Sequence, residues 1–226
     1  MNEELWLTWK EPKSRKRYKV GTLIKYDDKF VFKYVEPELK DAIDAGFQCF
    51  PGFEDTKKEY CSDKLFANIK TRLPNVNRPD YLEILNSYNL DKEASEFEIL
   101  KAVKGRLLTD NYEFVPAFDK NKIEFDVAGT RYSLDIKKCE SILNINDKLY
   151  LELEPSNKYD KYAIKVIYKK ENKKYHLGYV PRYYSKQLFE LLNKNISYSA
   201  MVQSVNFKSK INDEYVYACV KLIFDI

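Results

Sequence analysis

Two short clusters in the C-terminal half combine aromatic, basic and acidic side chains: Arg131-Tyr132 and Tyr159-Asp160-Lys161. An aromatic face stacks on any nucleic-acid base for roughly 1–3 kcal/mol, so two tyrosines can hold a strand without reading its sequence. Arginine and lysine supply contacts to phosphates. A carboxylate beside them can accept a hydrogen bond from a free hydroxyl and repel a phosphorylated end. These residue types together indicate recognition of the end of a nucleic-acid strand.

A structural interpretation of the same residues is also open. Asparagine and aspartate are favoured in tight turns, so Asn157 to Asp160 could simply be a turn. Tyr132 and Tyr159 would then pack in a hydrophobic core. The residue types alone do not decide between the two interpretations.

The positive charge is concentrated in the C-terminal half of the chain. Residues 1–119 hold 20 lysines and arginines against 22 acidic residues, whereas residues 120–226 hold 19 against 13. Contacts to phosphates supply most sequence-independent affinity for nucleic acids. Further candidate phosphate contacts are Lys161, Lys165, Arg182 and Lys186. The alternative is a solvated lysine surface. The basic run at 13–19 could likewise contact DNA or form a solvated hairpin edge, and we favour the hairpin edge.

The residues give little support for an enzyme or a metal site. The chain has one histidine, His176, and four cysteines that stand singly, so the common zinc and acid–base arrangements lack ligands. Glu152, Glu154 and Lys165 could contribute to a metal-dependent nuclease, but no third carboxylate accompanies them. We therefore expect no catalytic residue, no cofactor and no metal, with a small nuclease as an alternative.

Length and composition predict two soluble domains. A chain of 226 residues with 44% hydrophobic and 15% aromatic residues can bury two small cores. No apolar run approaches the roughly 20 residues that a membrane span needs, and the first nine residues lack the features of a signal peptide. We expect a cytoplasmic protein that does not bind membranes.

The first half of the chain predicts a small sheet followed by a helical cluster. Ser95 and Glu98 form a capping-box pattern that opens a helix, and Gly105 is expected to end it. Alternation of apolar residues and helical spacing predict the other elements. The strands are expected at 5–9, 18–24 and 30–34, and the helices at 37–46, 65–73 and 81–88.

The apolar patterns are interrupted between Pro116 and Lys122, which predicts a boundary between domains 1–119 and 120–226. An α+β pattern follows, and it predicts a closed or nearly closed small barrel with two helices. The six strands are expected at 123–127, 149–153, 163–168, 175–180, 198–207 and 215–224. The helices are expected at 134–143 and 183–192.

Four motifs occur in order in this second half. They are Ala-Gly-Thr-Arg-Tyr at 128–132, Glu-Pro-Ser-Asn-Lys-Tyr-Asp at 154–160, Ala-Ile-Lys-Val at 163–166 and Leu-Gly-Tyr-Val-Pro-Arg at 177–182. Together they resemble the HIRAN family over most of residues 123–207. The resemblance implies an OB-like six-stranded β-barrel that grips the 3′-hydroxyl end of single-stranded DNA, as HIRAN modules of fork-remodelling helicases do.

The resemblance also implies roles for individual residues. Tyr132 and Tyr159 match the aromatics that stack on bases, and Asp160 matches the carboxylate that accepts a hydrogen bond from the 3′-hydroxyl, with Arg131 near a phosphate. The chain departs from the family pattern at two positions. Lys158 stands where proline is common, and Ser133 stands where a second aromatic is common, which would weaken base contact.

A second resemblance concerns the N-terminal half. Residues 20–23, 30–34 and 65–74 are similar to the N-terminal subdomain of HipA-type toxin kinases, over about residues 18–105. The segments that would form the kinase lobes, with a nucleotide-binding loop and a catalytic Asp, are missing. This half is therefore expected to bind a protein.

The leading hypothesis is a non-catalytic adaptor that binds single-stranded 3′ ends through residues 120–226. Its N-terminal half would recruit a partner in DNA repair or phage defence, such as a helicase, a nuclease or a defence effector. The alternatives are a protein-interaction or antitoxin-like module without DNA binding and the small nuclease.

Overall fold

The structure is a computed structural model that describes residues 2–207 and 217–225. The chain divides into two compact units, Met1–Ala117 and Phe118–Ile226. This division lies close to the predicted boundary, and residues 119–122 directly after it are exposed. That the two units fold independently stays a prediction.

The N-terminal unit is built on a five-stranded antiparallel sheet with the order β4-β3-β2-β1-β5. Its strands are β1 (Glu3–Lys10), β2 (Arg17–Lys25), β3 (Phe30–Tyr34), β4 (Tyr60–Ser62) and β5 (Tyr112–Pro116). The first three strands were predicted. β4 and β5 were not, because β4 has only three residues and β5 carries a charged residue within its apolar run.

The charged residue of β5 is Glu113, which is buried. Its carboxylate lies 3.0 Å from Arg17 Nε and 2.8 Å from Arg106 Nη2. Two guanidinium groups thus offset the cost of burying the carboxylate. β5 can therefore pair with β1 although it follows the helical segments in the chain.

Four helices accompany this sheet: α1 (Glu38–Asp44), α2 (Ala67–Lys70), α3 (Tyr81–Ser87) and α4 (Glu96–Val103). The capping box is confirmed, because the Glu98 N–H donates to Ser95 Oγ at 3.3 Å and the Ser95 N–H donates to the Glu98 carboxylate at 2.8 Å. α4 ends one residue earlier than expected, with Lys104 in the left-handed region at φ 59° just before Gly105.

A buried arginine fixes the loop between α4 and β5. Arg72 makes a bidentate ion pair with Asp110 at 2.7 and 2.8 Å, and its Nε donates to the Gly105 carbonyl at 2.7 Å. Its guanidinium carbon lies 5.4 Å from the ring centroid of Phe50. Because a planar guanidinium satisfies several acceptors at once, one side chain holds both ends of this loop against the core.

The C-terminal unit contains a six-stranded antiparallel sheet with the order β6-β11-β10-β7-β8-β9. Its strands are β6 (Lys122–Asp126), β7 (Lys148–Leu153), β8 (Ile164–Lys170), β9 (Lys173–Tyr179), β10 (Ser197–Asn206) and β11 (Tyr217–Asp225). All six match predicted strands. The last strand was expected from residue 215, and positions 215 and 216 lie outside the described residues.

The two outer strands of this sheet are joined by one antiparallel bridge. The backbone N–H groups of Ala128 and Tyr179 each donate to the other residue's carbonyl at 2.8 Å. Within residues 2–207 and 217–225, the two edges of the sheet are thus joined by this isolated bridge, just after the end of β6, and not by a ladder between β6 and β9. Gly178 permits this approach: it has φ +149°, and a Cβ there would lie 2.5 Å from the Ala128 carbonyl oxygen.

The segment after Ala128 covers the outer edge of β9. It forms a 3-10 helix (Thr130–Tyr132) and α5 (Leu134–Lys138), which is shorter than the predicted helix at 134–143. The Ser133 hydroxyl donates to the His176 carbonyl, and the Asp135 carboxylate accepts from the His176 N–H at 3.2 Å. The exposed backbone of an edge strand is thereby satisfied.

The last helix, α6 (Arg182–Asn193), buries Tyr184 and Leu188 in the C-terminal core. The Phe118 ring lies 5.9 Å from Tyr184 and 6.5 Å from Phe224, measured between centroids, so the chain enters this core at residue 118. No helix within the described ranges is long and apolar enough to cross a membrane.

We predict that Gly178→Ala lowers the free energy of unfolding of the C-terminal unit by about 2 kcal/mol or more. The added Cβ meets a backbone oxygen in a conformation that L-residues rarely adopt. Urea unfolding followed by far-UV circular dichroism measures the change. Trp6 and Trp9, the two tryptophans of the chain, both belong to the N-terminal unit, so tryptophan fluorescence follows that unit alone.

Gly129→Ala is the matched control for this experiment. It also places alanine at a positive φ, +74°, but the nearest atom to its Cβ is Tyr179 Cδ2 at 3.9 Å. We expect a loss of about 1 kcal/mol there. Equal losses for the two variants would contradict the steric argument at Gly178. A shift of the fluorescence transition with Gly178→Ala would contradict independent unfolding of the two units.

Candidate nucleic-acid interface

The first candidate cluster lies on the 3-10 helix beside β9. Gly129, in the left-handed conformation, turns the chain out of the Ala128 bridge and into this helix. Tyr132 is 75% exposed at the end of the helix. The guanidinium carbon of Arg131 lies 5.6 Å from the Tyr132 ring centroid. A cation and an aromatic face are thus presented together.

The second cluster lies on the turn between β7 and β8. Asn157 Oδ1 accepts from the backbone N–H groups of Tyr159 at 2.9 Å and Asp160 at 3.2 Å, while its Nδ2 donates to Glu154 at 2.7 Å. Asn157 therefore forms the tight turn of the structural interpretation. Tyr159 nevertheless is 77% exposed, so neither Tyr159 nor Tyr132 packs in the core.

Asp160 is half-buried, and both of its carboxylate oxygens have a donor. Oδ1 accepts from the Tyr162 N–H at 2.9 Å, and Oδ2 lies 2.9 Å from the Ser185 hydroxyl. That hydroxyl has a second acceptor, the Arg182 carbonyl, also at 2.9 Å, but a carboxylate is the stronger acceptor. The contact places the Asp160 charge at the first turn of α6, where the helix dipole favours an anion.

Glu154 is the centre of the network that holds this turn. Its carboxylate accepts from Asn157 Nδ2 and from the Tyr179 hydroxyl at 3.0 Å, and it pairs with Lys165 Nζ at 2.5 Å. The hydrogen bond from Asn157, followed by those from Lys165 and Tyr179, lowers the pKa of Glu154 to about 2. Lys165, expected to contact phosphate, is therefore committed to an ion pair in the structure.

Tyr179 connects the two candidate clusters. Its backbone forms the bridge to Ala128, from which the loop with Arg131 and Tyr132 begins. Its hydroxyl donates to Glu154, at the start of the turn that presents Tyr159 and Asp160. Sequence reasoning considered Glu154 only for a nuclease and Asn157 only for a turn, and it gave no role to Tyr179 or Ser185. The first three stand within the quoted motifs, but their contacts join positions far apart in the chain.

The other predicted contacts lie on the turn after Asp160 and on α6. Lys161 is exposed, with its Nζ 5.0 Å from the Tyr162 ring centroid. Arg182 is the first residue of α6, and burial lowers its pKa. Lys186 is exposed and stands four residues later, on the same helical face as Arg182. Arg182 and Asp160 share the Ser185 hydroxyl, which brings these two predicted residues together.

The two departures from the family pattern have different surroundings. Ser133 is 8% exposed, and its hydroxyl accepts from the Ile136 N–H at 3.2 Å and donates to His176. The side chain therefore caps α5 and faces the protein, so an aromatic ring would not fit there without rearrangement. Lys158 is exposed, and its Nζ lies 4.8 Å from the Tyr159 ring centroid, which places a cation beside that ring.

The residues considered for a nuclease are engaged in ion pairs. Glu152 pairs with Lys174 at 2.8 Å and Glu154 pairs with Lys165. Across residues 2–207 and 217–225, no group of three or more His, Cys, Asp or Glu side chains is placed to hold a metal ion. His176 is half-buried, and burial lowers its pKa.

The low pKa of Glu154 predicts a pH dependence of stability. The pKa rises from about 2 to its ordinary value of 4.5 on unfolding, so the unfolded chain takes up the proton first as the pH falls. The contribution of Glu154 is complete above pH 4.5 and is lost as the pH falls towards 2. The difference in unfolding free energy between the wild type and Glu154→Gln should shrink over this range in urea denaturation experiments. A pH-independent difference would contradict the ion-pair network.

Comparison with known proteins gives a family match for the C-terminal half of the chain. The family model described as HIRAN domain matches residues 120–219. Two solved structures are similar, each with 23% identity, a TM-score of 0.35 and coverage of 46% of this chain: the HIRAN domain of human HLTF and a protein from Lactobacillus plantarum, covered over 74% and 92% of their lengths. No curated protein matches the chain. On the family match, residues 120–219 are a HIRAN domain.

Proposed function

We propose that the chain is a non-catalytic DNA-binding adaptor whose HIRAN domain holds the 3′-hydroxyl ends of single-stranded DNA. The observation that carries the proposal is the pair of exposed tyrosines, Tyr132 and Tyr159, on two loops that share Tyr179 as an anchor. DNA binding is what the HIRAN resemblance implies. The exposed rings and the adjacent carboxylate of Asp160 support recognition of an end.

The tyrosines suit bases because their loops are fixed before binding. Hydrogen bonds from the backbone N–H groups of Tyr159 and Asp160 to the Asn157 side chain order the turn of Tyr159, and the 3-10 helix orders Tyr132. A preorganised ring loses little conformational entropy when a base stacks on it. Two stacked bases would contribute roughly 2–6 kcal/mol in total at 1–3 kcal/mol each, without dependence on sequence.

Asp160 suits a hydroxyl because its carboxylate retains capacity to accept. Each oxygen has two acceptor sites, and Tyr162 and Ser185 occupy one each. A 3′-hydroxyl can donate to a remaining site. A 3′-phosphate cannot donate when ionised and would bring its negative charge against the carboxylate. Arg131 and Lys158, beside the two rings, are placed to meet the phosphates between nucleotides.

The test compares two oligonucleotides that differ only at the 3′ end. The wild type should bind the 3′-hydroxyl strand roughly ten- to a hundredfold more tightly than the 3′-phosphate strand, since the unfavourable contact costs on the order of 1–3 kcal/mol. Asp160→Asn should narrow this ratio because it removes the charge. Tyr159→Ala should weaken the binding of both oligonucleotides by the same factor. Fluorescence anisotropy measures all the affinities.

Two variants serve as controls. Tyr88→Ala removes a tyrosine of the N-terminal unit that is 45% exposed, and we expect no change in either affinity. Ser185→Ala removes the hydroxyl that positions Asp160, so it should weaken binding of the hydroxyl end without affecting the phosphate end. Equal affinity of the wild type for both ends would refute end recognition. Absence of binding would favour an interaction or antitoxin-like module, and metal-dependent cleavage would favour a nuclease.

The proposed role of the N-terminal unit is to bind a protein, such as a helicase, a nuclease or a defence effector. Exposed apolar side chains support this role: Val76 is 68% exposed, Leu82 is 54% exposed and Leu108 is fully exposed. Two residues of the basic run at 13–19 are engaged within the N-terminal unit. Arg17 pairs with Glu113, and Lys19 Nζ lies 3.9 Å from the Trp6 ring centroid, where burial lowers the pKa of Lys19.

Because we assign DNA binding to the C-terminal unit, we predict that charge reversal in the basic run at 13–19 does not affect DNA binding. Lys13→Glu combined with Lys16→Glu should leave the oligonucleotide affinity and its salt dependence as in the wild type. The same anisotropy titrations, repeated between low and moderate salt, provide the measurement. A reduced salt slope would show that the N-terminal unit contacts phosphates.

A further inference from the structure

A second basic surface lies on the outer face of the sheet formed by β7, β8 and β9. The strand registers place Glu152, Lys165 and Tyr179 in one row across this face. The next row contains Tyr150, opposite Ile167. Because side chains alternate between the faces of a strand, Lys169 on β8 points to the same side as Lys165 and Ile167. The face therefore runs from Tyr179 to Lys169 and its partner Lys174, next to the hairpin that joins β8 and β9. Lys170 and Lys173, which pair with each other, alternate to the opposite face at the tip of the hairpin.

The hairpin itself concentrates positive charge. Its two central residues, Glu171 and Asn172, have φ of 47° and 61°, as a tight two-residue hairpin turn of this kind requires. The flanking pairs are lysine opposite lysine on both sides: Lys170 with Lys173, and Lys169 with Lys174. Like charges directly opposite in a sheet destabilise it. The hairpin thus retains a repulsion that a bound polyanion would relieve.

Only part of this charge is neutralised within the protein. Lys165 pairs with Glu154 near the Tyr179 end of the face, and Lys174, which flanks the hairpin, pairs with Glu152. Within the described ranges, Lys169, Lys170 and Lys173 form no ion pair with an acidic side chain. Lys169 Nζ lies 4.0 Å from the centroid of the Tyr150 ring, and Lys148 Nζ lies 5.4 Å from it.

The length of the face matches a short piece of a nucleic-acid strand. Lys173 precedes Tyr179 by six positions in the chain, which spans roughly 20 Å at about 3.3 Å per residue. A stacked strand advances about 3.4 Å per nucleotide. A strand whose 3′ end lies beside Tyr159 and Asp160 and which follows this face would reach the hairpin about six nucleotides from its end.

We propose that the tip of the β8–β9 hairpin, where Lys169 projects from one face and Lys170 and Lys173 from the other, forms a second DNA contact, which holds the phosphates of the bound single strand about six nucleotides from its 3′ end. This inference rests on the proposed function. The bound group is the sugar-phosphate backbone, because the hairpin presents point charges on flexible stems and no array of hydrogen-bond acceptors for bases. Tyr150, between Lys148 and Lys169, offers a ring on which an intervening base can stack.

The experiment is a length series of 3′-hydroxyl oligonucleotides from about three to twelve nucleotides, titrated against the full chain. Wild-type affinity should rise until about six to eight nucleotides and then level off. For the triple variant Lys169→Ala, Lys170→Ala and Lys173→Ala, the rise should stop earlier, with about tenfold weaker binding of a ten-nucleotide strand and no change for a three-nucleotide strand. The salt slope for the long strand should fall by about 2, at about 0.7 per phosphate.

Two further triple variants control for charge and for folding. Lys57→Ala, Lys58→Ala and Lys64→Ala remove the same charge from exposed positions of the N-terminal unit and should reproduce the wild-type length series. The second variant retains the charge on the hairpin and should also reproduce the wild-type length series. Its substitutions are Lys169→Arg, Lys170→Arg and Lys173→Arg. Far-UV circular dichroism verifies that the alanine variant is folded.

The outcomes separate this inference from the proposed function. An alanine triple variant that keeps the preference for a 3′-hydroxyl but loses the length dependence supports the second contact. A wild type without that preference refutes end recognition on its own. Three results for the alanine triple variant would overturn the assignment of the hairpin to the bound single strand. They are a length series like that of the wild type, an equal loss of affinity at every length, and a loss of affinity seen only with duplex DNA.

Discussion

The geometry of the candidate interface depends on Tyr179. Its backbone forms the isolated bridge to Ala128, just after the end of β6, and its hydroxyl donates to Glu154 at the start of the turn that carries Tyr159. The two contacts use different atoms of one residue, so the loops of Tyr132 and Tyr159 have a common origin although they come from distant parts of the chain. A displacement of β9 would move both loops at once.

The charges around this anchor are arranged unevenly. Glu154 neutralises Lys165 close to Tyr179, and Glu152 neutralises Lys174 of the hairpin, whereas Lys169, Lys170 and Lys173 lack such partners in the described part of the chain. A nearly neutral site depends on stacking and hydrogen bonding, which are sensitive to the chemistry of a strand end. Unneutralised charge attracts any phosphate and is sensitive to salt. The proposed selectivity and the proposed general attraction are thus supplied by opposite ends of the strand pair β8 and β9.

Local patterns predicted most elements of the fold, and long-range contacts account for what they did not predict. The capping box at Ser95 and the six C-terminal strands follow from signals within a few residues. β5 was not predicted because Glu113 interrupts its apolar run, and only the fold brings Arg17 and Arg106 to that carboxylate. For the same reason, the sequence indicated Lys165 as a phosphate contact without revealing its partner Glu154. The net charge of a segment therefore overstates the charge that a ligand can reach.

The motif residues of the C-terminal unit divide into those that shape the backbone and those that project from it. Gly178 allows a close backbone approach and Asn157 closes a turn through its side chain, so both are required for the fold whether or not DNA binds. Tyr132 and Tyr159 are exposed and contribute little to the core. A domain can therefore keep the residues that shape its backbone, and with them its family membership, while it loses the exposed residues that bind its ligand. Here both tyrosines remain, and the one aromatic position that is lost, at Ser133, faces the protein. This combination makes retained base stacking the simpler explanation for two large aromatic rings held in solvent.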